Sequence, residues 1–380
     1  MPNSNSNILF FSGRLLPASE TFVKAQGEQL RKYTPYYVGS RLVSGLTLPS
    51  EQTRVVNSGG IWGKAQEAAF KLWGVAPSFY NNLKALKPCL IHAHFGVCGG
   101  LALPVQKQLR VPLITTFYGL DATMTDEYAK KHSLSTNVYL QRREHLKQNA
   151  NLFIAVSEFI KDKLLAQGFP EDKVIAHYYG VDTQQFQADP TIPREPIVLF
   201  VGRFTEKKGC EYLIKAMAQV QEQENEAELV LVGDGKLKAE LESLAAQCLR
   251  RYQFLGFQPS SVVKHWMNRA KILAVPSVTA ANGDSEGLPT VIVEAQAMGL
   301  PVVGSIHAGI PQAVSHEETG FLAEERDWQS LAQYIVTLLK NDEIWGNFSQ
   351  NGKQRMREHF DLQKQTQKLE QIYDSVLLKE

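Results

Sequence analysis

The chain has 380 residues, which at roughly 150 residues per domain allows two or three separate cores. Hydrophobic residues make up 44% and charged residues 21%, with a net charge of +1, a balance that gives no support to strong non-specific nucleic-acid binding. The charge is uneven: residues 1–190 carry 20 Lys and Arg against 14 Asp and Glu, while the remainder carries 20 against 25, so the first half is the part suited to an anionic surface such as a membrane.

The opening MPNSNSNILFFSGR has only a four-residue apolar run and no basic leader, so it does not read as a signal peptide. Short apolar runs then alternate with longer helical patterns, the mark of a parallel α/β sheet. In the first half the expected strands are Asn7–Ser12, Tyr36–Val38, Leu90–Ala93, Leu113–Phe117, Leu152–Val156 and Val174–Ala176. Between them the stretch Ile61–Leu86 reads as helical and carries Trp62, Phe70, Trp73 and several lysines; it is either a membrane-facing element or an ordinary packed helix pair. The polar segment Asp182–Pro196, with Pro190, Pro193 and Pro196, reads as a linker. Strands are expected again at Ile197–Val201, Glu228–Val232, Tyr252–Leu255, Ile272–Val275, Pro301–Gly304 and Gly320–Leu322, with helices at Cys210–Glu222, Leu237–Arg250 and Leu288–Met298. The end, from about Asp342, is helical, with one apolar stripe at Leu369, Ile372, Tyr373 and Leu377. No stretch reaches the ~20 apolar residues that a membrane-spanning helix needs. Cys89, Cys98, Cys210 and Cys248 are scattered without metal-like pairing, which suits a reduced, cytoplasmic chain.

Two such series point to two doubly wound α/β (Rossmann-like) domains, set at residues 1–185 and 186–355, with residues 356–380 as a closing helix; one large extended sheet is the alternative. Ligands of open α/β sheets sit beyond the carboxyl ends of the strands. Three stretches fall there. In IVLFVGRFTEKKG a strand runs into Arg203 and, five residues on, Lys208, two cations suited to a diphosphate unless the loop is merely solvated. In DSEGLPTVIVE, Pro289 suits the first position of a helix whose N-terminal amides form an anion site. Glu286 lies just before that helix and Glu294 about a turn and a half inside it. A carboxylate repels a diphosphate, so both acids suit neutral hydroxyls, as of a ribose or sugar; the plain alternatives are a helix cap for Glu286 and a surface salt bridge for Glu294. Third, Gly-Asp-Gly at 233–235 reads as a tight strand–helix turn.

GRFTEKKG, LVGDG, FLGF and EGLPTVIVE, in this order, resemble the C-terminal half of the retaining, two-domain family 4 glycosyltransferases of GT-B architecture. PASETFV, IHAHFG, TTFYGLD, AVSEFIKDKLLAQGFPEDKV and GVDTQQF resemble the N-terminal half, so the likeness covers nearly the whole chain, and it is nearest the branch that builds bacterial exopolysaccharides and cell-envelope polysaccharides. The resemblance implies that Arg203 and Lys208 neutralise a donor diphosphate, that Glu294 holds the ribose and that Glu286 meets the transferred sugar. It further implies that the amides of Gly287, Leu288, Pro289–Thr290 and Val291 line sugar and phosphate (Pro289 itself having no N–H), and that the backbone at Phe257 reads the base. Gly13, in the first strand–helix turn, would approach the diphosphate from the other domain across a cleft, and the final helix would cross back to the N-terminal domain.

One departure stands out. The family's FHGxD histidine is Tyr118 here, which hydrogen-bonds but is no cation near neutral pH. Asp121 is an acceptor-side candidate. His92 and His94 are either structural or cleft residues, and Ser19, Glu20 and Thr21 either cap the first helix or touch phosphate or acceptor. No Asp-x-Asp appears, so a metal-independent reaction without a cofactor is expected, with charge on the departing diphosphate met by Arg203, Lys208 and the helix N-terminus. The expected donor is a nucleotide diphosphate sugar, led by UDP-glucose and followed by GDP-mannose and UDP-galactose. The expected acceptor is a saccharide or lipid-linked saccharide, met in the cytoplasm or on the inner membrane face. An epimerase or hydrolase on the same fold, or an inactive nucleotide-sugar-binding regulator, are the other readings.

Overall fold

A computed structural model describes residues 6–379, so the first five residues of the opening stretch, and Glu380, lie outside the described residues. Two units account for the chain: one runs to Gly180 and takes in the segment from Leu362 onward, and the other is Val181–Asp361. The sequence reading set these junctions at 185/186 and 355/356.

Unit 1 holds seven strands: β1 (Asn7–Leu15), β2 (Thr34–Leu42), β3 (Thr53–Asn57), β4 (Leu90–His94), β5 (Leu113–Phe117), β6 (Leu152–Ala155) and β7 (Val174–Ala176). Unit 2 holds six: β8 (Glu195–Val201), β9 (Glu228–Val232), β10 (Tyr252–Phe254), β11 (Ala270–Val275), β12 (Val302–Ser305) and β13 (Gly320–Ala323). The spatial orders are β3-β2-β1-β4-β5-β6-β7 and β10-β9-β8-β11-β12-β13. Every ladder is parallel, as in Ile8↔Leu90 and Val201↔Val232. The fold class is therefore the expected one, two doubly wound α/β units. Parallel sheets are covered on both faces, which is why their strands read as unbroken apolar runs.

In each unit the order reverses once, between β1 and β4 and between β8 and β11. At such a switch point the two neighbouring chains leave the sheet in opposite directions and open a crevice at their carboxyl ends. In unit 2 that crevice is bordered by the segments after Val201 and after Val275.

The expected helix Ile61–Leu86 is two helices, Gly60–Trp73 and Pro77–Ala85, separated at Gly74, whose left-handed φ of 69° ends the first. The carboxyl-terminal region is likewise broken, into Asp342–His359 and Leu362–Leu377. The latter buries Leu369, Tyr373 and Val376 in the core of unit 1, beside Ile8, Phe10, Tyr37 and Leu90. Polar contacts fix it there: Glu370 Oε1 accepts from the N–H groups of Arg31 and Lys32 at 2.7 and 2.6 Å, and Asp374 accepts from the Tyr33 hydroxyl at 2.7 Å.

Strand β3 was not expected, because TRVVN has too short an apolar run to stand out. Strand β1 outlasts its apolar run, pairing Arg14 with Arg41 and Leu15 with Leu42. Gly13 is thus a strand residue rather than part of a turn, since β2 offers ladder partners that far along.

Candidate active site

In unit 2, β8 delivers Gly202 and Arg203 to the switch point, and a single 3-10 turn, Glu206–Lys208, follows. The Gly-Asp-Gly turn after β9 is packed on this segment. Phe204 N–H donates to the Asp234 carbonyl at 2.8 Å, and Leu237 N–H to the Phe204 carbonyl at 3.2 Å. Gly233 has φ +149°, and a Cβ there would lie 1.9 Å from the Gly202 carbonyl oxygen. Glycine is the residue that allows the two turns to stack, so the tight-turn reading of residues 233–235 holds.

On the other side, β11 opens into the loop Ser277–Pro289. Val278 N–H donates to the Lys207 carbonyl at 2.8 Å and Ala281 N–H to Glu206 Oε1 at 3.0 Å, tying the two switch-point loops together. The helix then starts at Thr290, two residues after the Leu288 expected from the sequence and one after Pro289. Pro289 is extended (φ −66°, ψ 118°) and occupies the cap position, because the backbone still has to turn out of the loop. Glu286 makes no cap bond to this helix.

Glu286 instead sits at the centre of a buried charge cluster. Lys208 Nζ is 2.7 Å from its Oε1, and Lys207 Nζ is 4.0 Å from its Oε2 and 2.8 Å from Asp284 Oδ1. The Ser277 hydroxyl donates to Oε1 at 3.2 Å. Burial would raise the Glu286 pKa, but the two ammonium groups outweigh it and hold the carboxyl at about 2. Its backbone N–H donates to His307 Nε2 at 3.2 Å, which places the ring proton on Nδ1, and that nitrogen lies 2.6 Å from Glu325 Oε1. Glu325 also accepts from the N–H and hydroxyl of Thr279. Lys207, Asp284, His307 and Glu325 were not singled out as partners in the sequence. The paired Lys207-Lys208 gave half of the signal, but His307 and Glu325 are isolated in sequence, and only the β12 and β13 ends bring them here.

Glu294 follows Thr290 by four residues, so it stands on the same helix face one turn in. No salt bridge engages it among the described residues, and burial alone pushes its pKa up to about 7. Arg203 is exposed at the mouth of the loop, and Phe257, beyond the left-handed Gly256, is 73% exposed. Cations, a helix N-terminus and an uncompensated carboxyl thus converge on one switch point.

Unit 1 gathers a second group at its own switch point. His92 is fully engaged, with Nδ1 2.6 Å from the Tyr373 hydroxyl and Nε2 2.6 Å from the Thr116 hydroxyl, and is 1% exposed, which favours its structural reading. His94 Nδ1 is 2.7 Å from the Tyr118 hydroxyl, while its Nε2 is buried without a partner. Burial lowers the His94 pKa to about 3, so the ring is neutral. Asp121 accepts from the N–H groups of Gly96, Tyr118 and Gly119 at 2.7 to 3.0 Å, and so shapes the FYGLD turn with its own oxygens already used. Glu20 occupies the cap position of helix Thr21–Glu28 without a capping bond, and Ser19 and Thr21 are exposed. Glu20 Oε2 is buried without a partner, and burial raises this carboxyl to about 7 against the pull of Arg14. Gly13 N–H is taken by Cys98 Sγ at 3.1 Å.

Two parallel, doubly wound units, one of them with cations and a helix N-terminus at its switch point, define an α/β protein of GT-B type. Family comparison carries this further. The model described as "Glycosyl transferases group 1" matches residues 182–355, and "Glycosyltransferase Family 4" matches residues 39–185. The chain belongs to this glycosyltransferase family. It is 32% identical over 276 residues to the amylovoran biosynthesis glycosyltransferase AmsK of Erwinia amylovora, covering 69% of this chain and 64% of that protein. It is also 32% identical over 260 residues to the putative colanic acid biosynthesis glycosyltransferase WcaL of Escherichia coli, covering 66% and 62%. The chain thus spans somewhat under two thirds of the length of these relatives. Among solved structures, Anabaena HepE in complex with UDP superposes with a TM-score of 0.77 at 22% identity, over 97% of this chain and 100% of that one. HepE is also known in complex with UDP-glucose.

Proposed function

We propose that the chain is a retaining, metal-independent hexosyltransferase. It moves glucose from UDP-glucose to a saccharide or lipid-linked saccharide in polysaccharide assembly, at the cytoplasmic side of the membrane. The observation that carries this reading is the buried Lys208–Glu286 pair beside a helix N-terminus at the unit 2 switch point. The polysaccharide-assembly names of the AmsK and WcaL relatives and the UDP-glucose held by the HepE neighbour support the choice of acceptor class and donor.

In this reading the diphosphate lies against Arg203, Lys208, the loop amides of Gly287 and Leu288 and the first-turn amides of Thr290 and Val291. These charges and dipoles do what a bound cation would otherwise do for the leaving group. Glu294, free of any cation, accepts hydrogen bonds from the ribose hydroxyls, and the backbone at Phe257 meets the base. Glu286 is kept ionised by two lysines, which makes it a strong acceptor for hydroxyls of the sugar. The C1–O bond to the diphosphate breaks with oxocarbenium character, the acceptor hydroxyl attacks the same face, and the released phosphate oxygen takes its proton. Tyr118 and Glu20 belong to the acceptor side in unit 1, with His94 holding the Tyr118 hydroxyl and Asp121 its loop.

The test is a panel of nucleotide sugars read by thermal stabilisation and slow donor hydrolysis. UDP-glucose should raise the melting temperature most, since a ligand at 100 times its Kd adds about 2.7 kcal/mol. Arg203→Ala, at an exposed site, should leave the melting temperature of the free protein alone and cut turnover by about 100-fold or more. Near-normal turnover of that variant at saturating donor, or no shift with any nucleotide sugar, refutes the assignment.

A further inference from the structure

Ten large hydrophobic side chains are prominently exposed among the described residues, and five lie within residues 61–75: Ile61 at 85%, Trp62 at 84%, Leu72 at 41%, Trp73 at 73% and Val75 at 53%. Four of these belong to the helix Gly60–Trp73. With 3.6 residues per turn, Ile61, Leu72, Ala65, Ala69, Trp62 and Trp73 fall in that order on one arc of roughly 120°. The opposite side of the helix, with Gly63, Glu67 and Phe70, is the buried one. A surface helix ordinarily turns its apolar arc to the core and its polar arc to water. Here a second apolar arc faces outward, with a tryptophan near each end of the helix.

The charge around it is one-sided. Residues 41–110 hold eight Lys and Arg against two carboxylates, Glu51 and Glu67. Glu67 is already spent, with Lys71 Nζ at 2.6 Å and Arg41 Nε at 3.8 Å. Lys64 is exposed and lies on the flank of the arc. Small Ala65 and Ala69 between two indoles present a shallow, featureless strip, without a pocket or knob that would pick out one protein side chain. Indoles with an apolar body and a polar N–H settle at the boundary between headgroups and acyl chains, and lysines flank them on lipid phosphates. The helix is 14 residues, about 21 Å, suited to lying in the interface plane. No helix among the described residues is long and apolar enough to cross a membrane.

We propose that the outward face of helix Gly60–Trp73 is a membrane-docking surface, which seats Ile61, Trp62, Leu72 and Trp73 in the interface of an anionic bilayer with Lys64 on its phosphates. This does not rest on the transferase reading, since the surface lies outside every residue assigned to donor or acceptor.

The experiment uses the full chain with vesicles of phosphatidylcholine alone and of phosphatidylcholine mixed with phosphatidylglycerol. Flotation should show binding to the anionic vesicles that weakens with salt, and tryptophan emission should shift to the blue. The Trp62→Ser/Trp73→Ser variant should lose about tenfold or more in partitioning and also lose the shift. Lys64→Gln should lose about fivefold. All three side chains being exposed, the melting temperatures and donor hydrolysis should stay as in the parent. Failure of the parent chain to bind anionic vesicles, or equal binding by the double tryptophan variant, overturns the proposal. So does a concentration-dependent dimer that the same variant abolishes, which would make a second copy the occupant.

Discussion

The pair Lys208–Glu286 can be weighed by a double-mutant cycle of Lys208→Met and Glu286→Gln. The contact is 2.7 Å, with side chains 14% and 8% exposed. At an effective dielectric of about 20, Coulomb attraction at that distance is about 6 kcal/mol gross, most of it offset by desolvation. Removing one partner of a buried pair costs about 3–5 kcal/mol. Lys207 at 4.0 Å keeps part of the compensation for Glu286, so Lys208→Met should cost about 2–3 kcal/mol. Glu286→Gln should cost a similar amount, because two ammonium groups are then left facing Asp284 alone. The double variant should cost less than the sum, with a coupling of about 2 kcal/mol in urea denaturation at pH 7. The sign with pH follows from the depressed carboxyl. Its stabilisation is present in full above the ordinary carboxylate value of 4.5 and fades as pH falls toward about 2. The coupling should therefore shrink across that interval. A coupling under about 0.5 kcal/mol at pH 7, or one that grows as pH falls, would refute the account of Glu286 as a charge held by its lysines.

Glu294 has the opposite sign: its folded pKa is raised to about 7, so it erodes stability as pH rises from 4.5 through 7. Glu294→Gln should therefore stabilise the free protein by about 1–3 kcal/mol at pH 8 and by little at pH 4.5, measured by denaturation, while weakening nucleotide-sugar binding in calorimetry. Gly233→Ala should cost about 2–4 kcal/mol and disturb the Arg203 loop, since its Cβ meets the Gly202 carbonyl. Gly256→Ala, with φ +67° and open space, should cost only about 1 kcal/mol in the same denaturation series. Neutral His94, held to about 3, adds stability that is complete above pH 6.5 and is lost as pH falls through that range; His94→Gln should flatten the acid limb of a melting-temperature profile.

How far the sequence carried the reading depended on what kind of signal each element had. Strands buried on both faces announce themselves as apolar runs, so β4, β5, β8 and β9 were legible to within a residue or two. The edge strand β3, polar and five residues long, was not. Loops carrying Gly-Arg, Lys-Lys and Glu-Gly-Leu-Pro pointed to one switch point because strand ends can be placed from those runs. Spacing cannot say which charges touch. The direct Lys208–Glu286 contact, the role of Lys207 toward Asp284 and the His307–Glu325 prop beneath Glu286 join residues 78, 77 and 18 positions apart in the chain. His92 was ambiguous for the same reason, until its two ring partners, 24 and 281 residues away, were in view.

Unit 1 is assembled from two pieces of chain that are separated by the whole of unit 2. On a ribosome, Val181–Asp361 emerges as an uninterrupted stretch and can complete its sheet at once. The larger part of unit 1 emerges earlier yet must wait, with Phe10, Tyr37 and the His92 ring lacking their cover, until Leu369, Tyr373 and Val376 leave the exit tunnel. The order of synthesis and the order of completion are therefore reversed. In that interval the unit made first is the one with apolar surface open to chaperones or to misassociation.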